Sequence, residues 1–158
     1  MALSAPAYYS MRDHNPLNRN SYPVRNGQTI YKGALVGIST VGVTDGRLVE
    51  WSSGSGALDF IGIADPASDT AVGNSAGTVE CPVIQGPVTL DDVAVTGLNS
   101  ADDVSDAVYA SDDNTFTLTP TSNVGSIGWV SRYNSSGRGS VTLFSPNEYR
   151  GVDDKGQV

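Results

Sequence analysis

Asp106-Ala-Val-Tyr-Ala-Ser-Asp-Asp-Asn-Thr-Phe-Thr-Leu-Thr119 carries the clearest local fold signal in the chain. Val108-Tyr109-Ala110 is β-forming, and Ser111-Asp112-Asp113-Asn114 groups residues whose side chains bond their own backbone in turns. Thr115-Phe116-Thr117-Leu118-Thr119 then alternates polar and apolar. The stretch predicts a β-hairpin, with Phe116 and Leu118 on a packed face and the threonines on a wet one.

Toward the C-terminus, Val124 to Tyr133, centred on Ile127-Gly128-Trp129-Val130, predicts a strand. Asn134-Ser135-Ser136-Gly137 turns it into Arg138 to Phe144, and Pro146 closes the regular structure. Toward the N-terminus, Gly97 to Ser105 is polar, with Asp102-Asp103 suited to a single helical turn. Before it lie Val93-Ala94-Val95 and Val88-Thr89-Leu90, with Asp91-Asp92 as an interruption between them. In Gly77 to Ile84, Pro82 points to a sheet edge or a bulge, because proline has no N–H for the ladder. Residues 65–77 read as a long loop, and Leu58 to Ala64 as a strand that stops at Asp65-Pro66. Residues 34–51 read as two antiparallel strands about the Asp45-Gly46 turn, extended through Val41-Gly42-Val43; Ser52 to Gly56 is a flexible loop, and Gln28 to Tyr31 a short strand. About nine or ten short strands at this turn spacing predict an all-β chain, a compact β-barrel, β-tulip-like or sandwich domain.

The chain has 158 residues, which fits one domain. Residues 1–25 hold Tyr8, Tyr9, Tyr22, Arg12, Arg19 and Arg25 among prolines and asparagines without apolar period, and read as an extended N-terminal arm. Tyrosine and arginine dominate protein interfaces, so these six are candidate contacts to a partner or a neighbouring subunit. Residues 26–146 form the β domain and residues 147–158 a loose tail. The formal net charge of −8 argues against nucleic acid as a partner. The charge is uneven: residues 1–33 carry +3 and the remainder −11, which suggests two surfaces with different partners. No apolar run approaches 18 residues and no signal-peptide pattern opens the chain, which reads as soluble and made in a cytoplasm, with no membrane partner. Cys81, the single cysteine, reads as a buried structural thiol.

Chemistry-bearing constellations are sparse. His14, the one histidine, lies in the arm, away from any patterned neighbour that a catalytic triad would need. His14 and Cys81 are too few for a zinc site. Seven aspartates between Asp91 and Asp113 fit no calcium-loop spacing and read as solvated turns. Gly54-Ser55-Gly56 lacks the residues of a phosphate-binding loop. Trp51 and Trp129 sit in apolar strand patterns and read as core or, with Tyr133, as subunit-interface residues. The expectation is a protein that is not an enzyme and holds no cofactor or metal.

Five stretches taken in order carry a resemblance: Ile30-Tyr31-Lys32-Gly33-Ala34-Leu35-Val36, Phe60-Ile61-Gly62-Ile63-Ala64, Gln85-Gly86-Pro87-Val88, Val108 to Thr119, and Ile127-Gly128-Trp129-Val130. The chain resembles, over about residues 28–144, the head decoration or capsid cement proteins of tailed bacteriophages. The resemblance implies a structural virion protein on the outer capsid surface, with the major capsid protein and further copies of itself, as a homotrimer, for partners. It carries no catalytic residues, and the long leader departs from the simplest members. The alternative is a carbohydrate- or receptor-binding β-module of a phage tail or surface structure, which exposure of Trp51, Trp129 and Tyr133 on one face would favour.

Overall fold

The computed structural model of the chain describes residues 3–12, 18–39, 46–52, 58–73, 78–120 and 125–146, and thirteen strands run through them. The first half holds β1 (Ser10–Arg12), β2 (Arg19–Pro23), β3 (Thr29–Tyr31), β4 (Leu35–Ser39), β5 (Leu48–Glu50), β6 (Leu58–Ala64), β7 (Thr70–Val72) and β8 (Glu80–Ile84). The second half holds β9 (Val88–Thr96), β10 (Ala107–Ala110), β11 (Phe116–Thr117), β12 (Gly128–Ser135) and β13 (Arg138–Leu143).

The hairpin predicted from Asp106 to Thr119 is present. Tyr109 faces Thr117 and Ala110 faces Phe116. Its turn closes through Ser111 N–H to the Thr115 carbonyl at 3.1 Å and Asn114 N–H to the Asp112 carboxylate at 3.2 Å. Phe116 is buried and Leu118 packs on the same core, as the alternation requires. Thr117 departs from the wet face expected for it: it is buried, with its hydroxyl accepting the Thr119 N–H at 3.1 Å.

Strands β9, β11, β10, β12 and β13 pair in that order and β13 returns to β9, closing a five-stranded barrel. Only β11 against β9 runs parallel in that ring. The two short runs expected around Asp91-Asp92 are one strand with a bulge: inward-facing Val88 and Leu90 are followed by inward-facing Val93 and Val95, and Asp92 takes up the extra residue at φ 53°. The expected helical turn is a 3-10 turn at Ala101–Asp103, capped reciprocally by Ser100 and Asp103.

The other sheet runs β2-β8-β6-β4-β5, antiparallel throughout, and a parallel bridge from Val24 to Leu48 brings its two edges together. Pro82 therefore lies on neither an edge nor a bulge: β2 covers one side of β8, and on the other β6 ends beside Pro82, whose carbonyl accepts the Asp65 N–H at 2.8 Å. Strands β3 and β7 form a separate ribbon, with β7 inside the expected loop of residues 65–77. The β4–β5 pairing matches the hairpin expected over residues 34–51; its tip at Val41 to Asp45, the loop from Ser53 to Gly56 and the tail 147–158 lie outside the described residues.

Near-continuous apolar runs in β4 and β6 arise because both faces are covered. Leu35, Phe60 and Ile63 join Trp51 and the barrel residues in one core, while Val36, Ile61 and Ala64 join Val24, Ile30, Leu48, Cys81 and Val83 in another. Gly62 sits between them at φ 151°, where a Cβ would run into the Ile84 carbonyl.

Candidate partner-binding surface

The arm supplies strands to both halves of its own chain. Residues 10–12 add to β9 antiparallel, Met11 opposite Leu90, and residues 19–23 form the outer strand β2. Both strands lie within the residues 1–25 read as the arm.

From its start, the arm is held by polar anchors. Leu3 N–H donates to Asp113 Oδ1 at 2.9 Å, and Ala7 N–H to the Lys32 carbonyl at 2.8 Å. Gly33 lets that approach happen, since a Cβ there would meet the Ala7 carbonyl. Tyr9 and Phe116 meet in a T-shaped contact, centroids 6.4 Å apart, and burial, then Asp113 and Asp112, push the Tyr9 phenol up to about 12. Arg12 Nε lies 2.8 Å from Asp91 Oδ1, and this bond first, aided by Ser140, lowers the Asp91 carboxyl below its usual range. Arg19 and Lys32 both pair with Asp65, Lys32 at 3.0 Å. The Tyr22 hydroxyl accepts from Gln85 Nε2 at 2.7 Å. Of the six candidate arm contacts, Tyr9, Arg12, Arg19 and Tyr22 are engaged within the chain; Tyr8 is 70% exposed with its hydroxyl bonded to Asp69, and Arg25 is exposed at the surface.

Trp51 lies in the core. It is 1% exposed, stacks edge-on against Phe60 at 5.5 Å and donates its indole N–H to the Ala110 carbonyl at 3.2 Å, so it ties the sheet to the barrel. Trp129 is half-buried with its ring tilted on Phe144 at 5.4 Å, and Tyr133, also half-buried, donates its hydroxyl to the Asn99 carbonyl at 3.3 Å. The three do not meet on one exposed face.

The aspartates are distributed over turns and caps. Asp103 holds the Asn99 and Ser100 N–H groups, which lower its carboxyl, and Asp92 takes Arg138 and Asn134, which do the same. Among the described residues no three of His, Cys, Asp and Glu gather; His14 lies outside them. Asp113 breaks the expectation of a solvated turn. It is fully buried, its backbone carbonyl accepts the Leu35 N–H at 2.7 Å, and its Oδ2 has no hydrogen-bond partner. Burial raises its carboxyl, and burial together with Asp113 pushes Glu50 up to about 7. Cys81 is buried as expected, its thiol pushed up to about 11 by burial, which makes it a poor nucleophile.

Where the Asp91-Asp92 bulge leaves β9 between β1 and β11, a groove of about 300 Å³ opens, lined by Tyr8, Ser10, Asp92, Asn114 and Arg138. No family model, curated protein or solved structure matches the chain.

Proposed function

We propose that the chain is a capsid decoration protein: made in the host cytoplasm, it seats on the outer surface of a tailed-phage head as a homotrimer and bridges neighbouring copies of the major capsid protein. One observation carries the reading. Polar side chains of the leader and of the turns are engaged in caps, bulges and ion pairs of a small two-core β body, as with Asp91 and Arg12, Asp65 with Arg19 and Lys32, and Asp103 at its cap. A rigid block repeated at symmetric junctions adds many weak bonds to a shell, and avidity makes them sufficient. Among the described residues of the basic leader, Tyr8, which keeps its ring exposed beside Asp69, and Arg25 are exposed and available to the shell, against an otherwise acidic body. Burial of Trp51 favours this reading over the carbohydrate-binding alternative.

The test is co-sedimentation with expanded, undecorated heads. Saturable binding at a fixed ratio to the major capsid protein is expected, with binding weakened by Tyr8→Ala and Arg25→Ala together. A chain that stays in the supernatant at every concentration overturns the reading, and retention on a glycan array instead moves it to the carbohydrate-binding module.

A further inference from the structure

We infer that the first strand of the arm is exchanged between copies, so that residues 3–12 of one chain occupy the β9 slot of the next. This concerns the free protein and stands or falls independently of the capsid reading.

The two arm strands differ in what they hold up. Strand β2 is integral, because β8 has it as one neighbour and the segment leaving it bridges to Leu48 to bring the sheet edges together. Strand β1 is an addition, because the ring of β9, β11, β10, β12 and β13 closes entirely within residues 88–143. β1 occupies only the interval Thr89–Asp91 along an edge that β11 takes over at Val95. It can leave without opening the barrel.

The slot it vacates, however, is costly to leave empty. Asp113 has no exposure and no partner for Oδ2, and it would lose the Leu3 N–H from Oδ1 as well. Phe116 would lose the Tyr9 ring, and Leu90 the pairing with Met11. The ligand that restores every one of these contacts is the same ten-residue segment from a second copy, which reproduces them in trans without new interactions. Arg12 and Arg19 are seven residues apart, a tether of about 23 Å when extended.

The experiment uses full-length chains carrying Cys81→Ser. Ser10 lies directly opposite Asp91 across the β1–β9 ladder, so Ser10→Cys is placed on one chain and Asp91→Cys on another. After mixing under mildly denaturing conditions, return to buffer and oxidation, a covalent dimer is expected from the mixture and from neither chain alone. A chain carrying both substitutions that closes only as a covalent monomer, with no dimer from the mixture, overturns the proposal. Where no disulfide forms in either case, the same cysteines carry spin labels: strong dipolar coupling between labels on different chains supports exchange, and coupling seen only when both ride on one chain overturns it.

Discussion

The barrel and the sheet reach closure by opposite routes. The barrel is built from one contiguous run, residues 88–143, in which β10–β11 and β12–β13 are hairpins and the ring returns to its own first strand. The sheet gathers β2, β8, β6, β4 and β5 from across residues 19–84, and a bridge at Val24–Leu48 joins its edges. What the sheet lacks in ladder it gains in packing, since β4 and β6 are covered on both faces and send alternate residues to two cores. Local turns can complete a ring, whereas distant strands need a second hydrophobic core to hold them in register.

Trp51 is where the two routes meet, and removing it is the strongest way to break the comparison. Trp51→Ala deletes a buried indole packed on Phe60 and leaves the Ala110 carbonyl without its donor. A loss of about 3–5 kcal/mol is expected from the cavity and the lost contacts. Urea denaturation followed by circular dichroism checks it. Two separated transitions in the variant, against one in the parent, would mean that the shared core is what makes the halves unfold together.

Leu48 and Met11 sharpen the contrast between the integral and the added strand. Leu48→Ala strikes the sheet's closing bridge at a fully buried position and is expected to cost about 2–5 kcal/mol. Met11→Ala, on a strand the barrel ring does not need, is expected to cost about 1 kcal/mol, since its side chain is only partly buried. Equal shifts in urea midpoint would show that β1 is as integral as the sheet's closure, contrary to the topology.

The same contrast explains how much was legible in the sequence. The hairpin at Ser111 to Asn114, the stop at Asp65-Pro66 and the 3-10 turn after Ser100 rest on residues acting on their own backbone, and each is visible locally. Strands β1 and β2 are three and five residues long and mostly exposed or half-exposed, so no apolar period marks them. Their partners, β9 and β8, lie some sixty to eighty residues away, and periodicity says which side chains turn inward but not which strand lies beside them. Asp113 is equally silent. Nothing in Asp112-Asp113 distinguishes the carboxylate that accepts the Asn114 N–H in the turn from the one that β4 and the arm enclose.

Glu50 gives the finest test, because it lies on β5 within electrostatic reach of Asp113 in the barrel's hairpin turn. Burial first, and the Asp113 charge second, push its carboxyl from 4.5 up to about 7. A carboxyl whose folded pKa is raised takes up its proton more readily in the folded state, so the fold is penalised when the group ionises. That penalty is absent below about pH 4.5, grows as the pH rises and is complete above about 7. Glu50→Gln, which cannot ionise, is therefore expected to match the parent near pH 4.5 and to exceed it at pH 8. With the half-exposed side chain screened by water, the gain is on the order of 1 kcal/mol. Urea midpoints at the two pH values measure it. A gain at pH 8 that persists after Asp113→Asn would assign the effect to burial at the sheet alone, whereas one that shrinks would show charge on the barrel's turn being felt by the sheet.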